Sequence, residues 1–325
     1  MKMPPNARQL FIKLFSVLLI TLSGVALLVL IPLMTHRRPV PIEPALPQPS
    51  QTTVPSETSV PPSAVPTAAP VTPHADEALS SLLEDFAASH QGQWDLCVVN
   101  MSYGETVSYS QTDKPMVSAS LIKLYIMGAL FEQFQDGTLS YNNNRYLLRE
   151  MITRSDSNAA NRLIKALGGD DVEAGMSAVN AFAQSIGCLD TSLNRLMLED
   201  TEHENYTSAK DCALFFKLLY RFELVSPEAS AEMLELLKEQ KVNDRIPAGL
   251  PENTICAHKT GELSSLCWAD VGLVFSPHAD YILCAICNSP PEDAAAVEDI
   301  ASLSQLVYEH FNPPAEAPVD SEEVA

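Results

Sequence analysis

The chain is short of positive charge. Its 325 residues include 20 lysines and arginines but 41 aspartates and glutamates, which gives a formal net charge of −21. Proteins that bind nucleic acids need clustered lysines and arginines to neutralise phosphates. We therefore expect no nucleic-acid partner, and we interpret the acidity as that of a soluble surface.

Cysteine and histidine are sparse and scattered. The seven cysteines begin only at Cys97, and their odd number argues against a complete disulfide framework. No group of histidines and cysteines has the spacing of metal ligands, so we expect no metal and no other cofactor. Cys284 and Cys287 form a C-x-x-C motif within an apolar run. If that run is a strand, the two side chains face opposite sides and serve as small core residues.

The long apolar run near the beginning of the chain, Leu14–Met34, is long enough to cross a bilayer as one helix. No small-x-small cleavage site follows it, so we predict an uncleaved signal-anchor at residues 14–34. The flanking basic residues favour a short cytoplasmic N-terminus, residues 1–13. We therefore expect a single-pass protein of the cell membrane whose remaining chain is extracytoplasmic.

Two further segments cannot bury a core. Residues 35–75 are rich in proline, serine and threonine, which predicts an extended linker. Residues 312–325 contain adjacent prolines and several acidic side chains, which predicts a disordered acidic tail. Residues 76–311 remain, and they are numerous enough for a well-buried core.

The order of predicted elements within residues 76–311 indicates an α+β fold. Hydrophobic periodicity predicts helices at 76–90, 120–136, 146–153, 158–167, 172–186, 208–222, 227–240 and 292–311. Strands are predicted at 94–101, 105–109, 254–260, 267–275 and 281–288. We expect one five-stranded antiparallel sheet flanked by the terminal helices, with an all-helical sub-domain inserted.

Three short motifs occur in order within this domain: Ser120-Leu-Ile-Lys123, Ser155-Asp-Ser157 and Lys259-Thr-Gly261. On a helix, Ser120 and Lys123 share a face, so the lysine amine can reach the serine hydroxyl. That pair alone also fits an ordinary amphipathic helix, and Ser155 alone fits a helix N-cap. The ordered set supplies a nucleophile, two lysines and a second hydroxyl, which is the equipment for acyl transfer through a serine ester.

The motif set resembles that of the class A β-lactamase family and its penicillin-binding serine hydrolase relatives, whose S-x-x-K, S-D-N and K-T-G motifs follow the same order. The resemblance extends to Ser155–Asn161 and to Arg245–Pro251, which is similar to the lead-in to the third motif. His258–Glu262, followed by Asp270–Gly272, is similar to two central strands of that family. The implied fold is β-lactamase/transpeptidase-like over residues 76–311.

The resemblance implies the catalytic roles. Ser120 would attack the amide carbonyl, Lys123 would take its proton, and Ser155 would pass a proton to the leaving nitrogen. The base must be partly neutral, which burial and the charge of Lys259 could achieve by lowering its pKa. An oxyanion hole is implied from the backbone N–H groups of Ser120 and Glu262.

The resemblance also implies the substrate contacts. Lys259 and Thr260 would bind and orient a substrate carboxylate, and Gly261 would let the substrate approach the strand edge closely. Asp156 would be structural. Ser157 stands where the family has an asparagine that holds the substrate's side-chain amide, so recognition at this point should be weaker or different.

A Ser-His-Asp triad is the rival catalytic arrangement, and the sequence gives it little support. The chain has no G-x-S-x-G elbow. His258 should point to the face opposite Lys259 on the same strand, and His203 lies in a polar loop.

Two departures from the family pattern concern the cleft and its hydrolytic step. The interval between Ser120 and Ser155 is short, which predicts a more open cleft. The deacylating glutamate of the family's Arg-x-Glu-x-x-Leu-Asn loop has no match, because Leu196 and Met197 follow Arg195. The candidate stand-ins are Glu199, Glu202 and Glu204, although a solvated acidic loop would carry the same residues.

The sequence therefore predicts a membrane-anchored serine hydrolase that is acylated at Ser120 by β-lactams and deacylates slowly. One alternative is a D-Ala-D-Ala carboxypeptidase or another peptidoglycan-directed amidohydrolase on the same scaffold. Another is a non-hydrolytic module that binds penicillin or cell-wall fragments. The expected partners are a β-lactam or peptidoglycan peptide and the membrane, and we expect a monomer.

Overall fold

The computed structural model describes residues 76–199 and 201–313. The predicted anchor, the predicted linker and the predicted tail from residue 314 onward lie outside the described residues, and those interpretations stay predictions. Within the described ranges, no helix is both long and apolar enough to cross a membrane.

Seven strands form two sheets within residues 76–199 and 201–313. They are β1 Gln93–Asn100, β2 Thr106–Ser110, β3 Met116–Val117, β4 Tyr206–Thr207, β5 Ile255–Leu263, β6 Cys267–Phe275 and β7 Tyr281–Asn288. The main sheet has the order β2-β1-β7-β6-β5, and every neighbouring pair is antiparallel. The predicted five-stranded antiparallel sheet is confirmed, with β5 at one edge.

Eight helices surround the main sheet in the described residues. They are α1 Glu77–Ser89, α2 Lys123–Gln135, α3 Tyr141–Thr153, α4 Ser157–Leu167, α5 Val172–Ser185, α6 Ala209–Tyr220, α7 Pro227–Lys238 and α8 Asp293–Phe311. The terminal helices α1 and α8 pack on one face of the sheet, and α2 to α7 form the helical insertion on the other.

Strand alternation divides the core between the two faces. β7 is buried along its whole length because helices cover both sides of the sheet. Cys287 packs with Trp94 and Ile300 beneath the terminal helices, whereas Cys284 packs with Phe215 beneath the insertion. The prediction that the C-x-x-C cysteines lie on opposite faces is confirmed, and both are free thiols.

Three features differ from the predicted boundaries. Helix α3 begins at Tyr141, before the predicted start, because Tyr141 packs edge-on against Phe134 of α2 and anchors a first turn of weak helix formers. Strand β5 continues past Thr260 to Leu263, because β6 keeps pairing with it. The two-residue strands β3 and β4 were not predicted, since so short a pair carries no periodic signal.

Candidate active site

Ser120 lies in a tight turn at the start of the helix that carries Lys123. Residues Ala119–Ile122 form a 3₁₀ turn, and the α-helix proper begins at Lys123. The sequence predicted one continuous helix from Ser120, but the tighter turn still keeps serine and lysine on one side. The turn is anchored by Leu121 and Ile122, which are fully buried, and Ala119 adopts a left-handed φ of 43°. Such backbone strain in a non-glycine residue is typical of functional sites.

The amine of Lys123 is the centre of a hydroxyl cluster. Its Nζ lies 3.0 Å from Ser120 Oγ and donates to the Ser155 carbonyl oxygen at 2.6 Å. Ser155 Oγ and Ser157 Oγ lie 3.3 and 3.2 Å from the same nitrogen. The structure thus brings the first two motifs into one hydrogen-bonded group, with Lys123 fully buried at its centre.

Burial lowers the pKa of Lys123 to about 8, while the nearby carboxylate of Asp156 opposes the shift. The amine is therefore partly neutral at neutral pH, as a base for a serine hydroxyl requires. The pKa of Lys259 is lowered well below its ordinary value, first by burial and then by the charge of Lys123. Burial is thus the main cause of the lowered pKa of both lysines, and repulsion from the Lys123 amine adds to it at Lys259 only. The expected contribution of the Lys259 charge to the pKa of Lys123 is not found.

Ser155 connects the two lysines. Lys259 Nζ lies 2.9 Å from Ser155 Oγ and donates to the carbonyl oxygen of Thr260 at 2.7 Å. Ser155 has a left-handed φ of 58°, which holds its hydroxyl between the two amines instead of in a helix-capping position. The N-cap of α4 is Asp156, whose carboxylate accepts from Ala159 N at 2.6 Å, so the capping interpretation of Ser155 is wrong.

The glycine of the third motif serves the packing of β5 against the nucleophile turn. A Cβ on Gly261 would lie 3.2 Å from both Leu121 Cγ and the Ser118 carbonyl oxygen. The space that the missing side chain leaves is therefore filled by the turn that carries Ser120. Glu262, the next residue along β5, lines the same small cavity as Ser120.

Arg245 belongs to this region although sequence reasoning gave it no role. Its guanidinium is fully buried and stacks on Trp268, with 4.6 Å from Cζ to the ring centre. Its Nη2 lies 3.5 Å from Glu262 Oε2, and its Nε and Nη1 make no hydrogen bond with any described residue. The sequence offered one indication, because Arg245 begins the segment that leads to the third motif. Arginine is almost never fully buried, however, and the sequence does not show that this one is.

The segment from Ser192 to Tyr206 closes the other side of the cavity. Ser192 and Tyr206 exchange backbone hydrogen bonds at its base. Arg195 donates to Glu204 Oε2 from Nη2 at 2.6 Å and from Nε at 3.2 Å. This loop is thus a closed unit with an internal ion pair.

Met197 of the loop is fixed over the cavity. The Asn161 amide accepts from Met197 N and donates to its carbonyl oxygen, both at 2.8 Å. Met197 is buried and lines the cavity beside Ser120 and Ser157. The enclosed volume is only about 80 Å³, far below the several hundred Å³ usual for a drug-sized ligand, so most of a substrate would lie outside it.

The three candidate deacylation glutamates are placed differently. Glu204 lines the cavity, but its carboxylate is tied to Arg195. Glu199 is exposed and accepts from Leu196 N, and Glu202 is exposed on the outer part of the loop. Of the three, only Glu204 shares the cavity with Ser120.

Neither His258 nor His203 forms a triad with Ser120. His258 Nδ1 lies 3.0 Å from Asp270 Oδ1, and its Nε2 lies 2.9 Å from Asn243 Oδ1, so both ring nitrogens are engaged away from the serine. His203 is exposed. Within residues 76–199 and 201–313, no group of three or more histidine, cysteine or acidic side chains could hold a metal ion.

Solved structures with the same architecture include PBP-A, a variant of it and a β-lactamase. PBP-A is 24% identical, covers 72% of this chain and 96% of its own, and has a TM-score of 0.64. A β-lactamase from Sphaerobacter thermophilus is 23% identical, with 72% and 99% covered and a TM-score of 0.64. A leucine-to-glutamate variant of PBP-A, in an acyl-enzyme complex with penicillin-G, is 23% identical, with 74% and 99% covered and a TM-score of 0.66. At these identities the likeness establishes the fold.

The family itself is established by a sequence model. The model described as the beta-lactamase enzyme family matches residues 77–146 and 143–311, which together include all three motifs and Arg245. No curated protein matches the chain. The chain belongs to the beta-lactamase enzyme family and is a β-lactamase-like serine hydrolase.

Proposed function

We propose that this hydrolase opens the amide of β-lactams through an ester on Ser120 and releases the product slowly. The observation that carries the proposal is the buried Lys123 amine, 3.0 Å from Ser120 Oγ, with a pKa lowered to about 8. A partly neutral amine in hydrogen-bond contact with a serine is the arrangement that activates the hydroxyl for attack.

The proposed acylation uses the groups around Ser155. As Ser120 Oγ bonds to the amide carbon, its proton passes to Lys123, and the carbonyl oxygen takes the electron pair. The N–H groups of Ser120 and Glu262 stabilise that oxyanion. The oxyanion then re-forms the carbonyl as the amide C–N bond breaks. Ser155 gives its proton to the nitrogen and takes in its place the proton held by Lys123, which leaves the Ser120 ester and a neutral lysine. Contact of both lysine amines with Ser155 Oγ supports this relay.

Substrate orientation is assigned to the positive edge of β5. Lys259, Thr260 and the buried guanidinium of Arg245 together offer donors to a carboxylate. A charged hydrogen bond of this kind is worth about 1.5–3 kcal/mol, enough to fix one end of a small substrate.

Slow release of the hydrolysed product follows from the loop between Ser192 and Tyr206, on the other side of the cavity. Hydrolysis of the ester needs a carboxylate that can accept a proton from water. Met197 has no such group, and the carboxylate of Glu204 already accepts two hydrogen bonds from Arg195. We therefore propose a long-lived acyl-enzyme.

A second candidate is a D-Ala-D-Ala carboxypeptidase or related peptidoglycan amidohydrolase. Ser157 at the position of the family's asparagine favours it, since recognition of a β-lactam side chain loses an amide partner there. A non-hydrolytic binding module is the third candidate. Turnover of a chromogenic β-lactam and of a D-Ala-D-Ala peptide by the full chain separates them. Faster turnover of the peptide would favour the second candidate, and no acylation by either would favour the third.

The same proposal places the enzyme on the outer surface of the cell membrane, anchored through residues 14–34 and spaced from it by residues 35–75. Protease added to spheroplasts should then release a folded fragment by cutting in the linker. Protection until lysis would contradict this orientation.

A further inference from the structure

The backbone N–H of Glu262 is assigned to the oxyanion hole, but its side-chain carboxylate lies beside Arg245 and can have a role of its own. Thr260 and Glu262 are two positions apart on β5, so their side chains lie on one face of the strand. Trp268 of β6 lies opposite Glu262 in the antiparallel pairing with β5, and Arg245 stacks on that tryptophan. The Glu262 carboxylate therefore lies at the same positive edge that the proposed function assigns to a substrate carboxylate.

The hydrogen-bonding capacity of Arg245 is only partly used by the described residues. Its side chain is fully buried, and two of its nitrogens, Nε and Nη1, lack hydrogen-bond partners among those residues. Its two nearby carboxylates are only in loose contact: Asp244 Oδ1 lies 3.3 Å from Nη1 and Glu262 Oε2 lies 3.5 Å from Nη2. The guanidinium thus keeps donors that a better-placed acceptor, such as a substrate carboxylate that displaces Glu262, can use.

Glu262 competes with such an anion. Its side chain is 59% exposed, and its negative charge partly opposes the lowering of the Lys259 pKa by burial. An arriving carboxylate meets a like charge on the same guanidinium and must displace it or bind beside it.

We infer that the Glu262 side chain determines specificity by competing with the substrate's carboxylate for Arg245. Glu262 then reduces the preference of the cleft for a free carboxylate over an esterified or amidated one at this end of the substrate. This inference rests on the proposed function for the position of the substrate, but it concerns binding and not the chemical step.

The test compares one ligand in two charge states. In a Ser120→Ala background, which removes the covalent step, Kd is measured by calorimetry for benzylpenicillin and for its methyl ester. Glu262→Gln should tighten binding of the free acid about tenfold, because a like charge near the site is removed. The ester should change less than twofold.

Glu252→Gln is the matched control, because it removes one exposed negative charge from the segment before β5. It should leave both ligands within twofold. Glu262→Ser serves as a second variant should the glutamine form fold poorly, with near-ultraviolet circular dichroism as the check on folding.

Equal tightening of acid and ester, or no change in either, would overturn the inference. The proposed function is judged separately, by acylation of the Ser120-containing chain. If benzylpenicillin never acylates that chain while Glu262→Gln still tightens the acid, the proposed function fails and the role of Glu262 stands.

Discussion

The two walls of the cleft around Ser120 differ in the chemistry of the side chains that they present. The first wall, which we call the lysine wall, is formed by α2, the start of α4 and β5. It presents two buried lysines, Lys123 and Lys259, that both contact the Ser155 hydroxyl. The second wall, which we call the loop wall, is the segment from Ser192 to Tyr206. It presents the apolar side chain of Met197 and the ion pair between Arg195 and Glu204. One wall holds groups that exchange protons, whereas the described loop residues that line the cavity include only one carboxylate, that of Glu204, which is paired with Arg195.

This difference separates the two halves of a hydrolytic cycle. Forming the ester needs a base beside Ser120 and an acid for the leaving nitrogen, and the lysine wall has candidates for both. Breaking the ester needs a base that faces a water molecule, and that base belongs on the loop wall. Acylation and deacylation therefore depend on separate groups, and a protein can carry out acylation without an efficient deacylation step.

Removing the nucleophile should have the largest effect. Ser120→Ala should abolish covalent labelling by a fluorescent penicillin, because no ester can form. The fold should survive, since alanine is accepted in a helical turn. Labelling is measured on denaturing gels of the full chain, with circular dichroism as the folding control. Labelling that persists would remove Ser120 from the mechanism.

The next largest effect concerns the base. Lys123→Arg keeps the positive charge but cannot accept a proton, so the acylation rate should fall by about 10²–10⁴-fold. Stopped-flow measurement with a chromogenic cephalosporin gives this rate. A rate near that of the unmodified chain would mean that another group activates Ser120.

The acylation rate should also rise with pH. The neutral form of Lys123 is the active base, and a pKa of about 8 means that its fraction grows by roughly tenfold between pH 7 and pH 9. Second-order acylation rates measured across this range should follow a single ionisation near pH 8. A rate that falls over the same interval would point to a base that titrates elsewhere.

A smaller effect is expected when the loop wall is loosened. Asn161→Ala removes two hydrogen bonds to Met197 and should lower the free energy of unfolding by about 1–3 kcal/mol. Acylation should change by less than about threefold, because Asn161 does not contact the lysine wall. Urea unfolding measures the first effect and penicillin labelling the second.

Asn158→Ala is the matched control, because Asn158 is exposed on the same helix. It should leave stability within about 0.5 kcal/mol. A large loss of acylation in the Asn161 variant would mean that the two walls are coupled after all.

The lysine wall is where sequence reasoning reached furthest. Spacing alone put Ser120 and Lys123 on one side of a turn, and the ordered motifs brought in Ser155 and Lys259. The main sheet followed from short apolar runs bounded by turn residues, which is the pattern of strands covered by helices on both faces. The sequence did not reveal that Asp156, not Ser155, caps α4, because either residue type suits that position.

The other differences have tertiary causes. Arg245 is buried by its stacking on Trp268, a contact between distant strands and turns that local propensity does not encode. The short pair β3 and β4 depends on the closed loop that begins at Ser192, and two residues show no period. The position of Glu204 in the cavity likewise depends on its ion pair with Arg195 and not on its place in an acidic run.

The lifetime of the acyl-enzyme tests the contrast between the two walls most directly. The full chain is mixed with a chromogenic cephalosporin, and intact-mass spectra are recorded from seconds to hours. The account predicts a stoichiometric burst, one bound drug fragment per chain, and an adduct that persists well beyond mixing. Sustained turnover at tens to hundreds per second, without a visible adduct, would contradict it and show that the loop wall does supply a base.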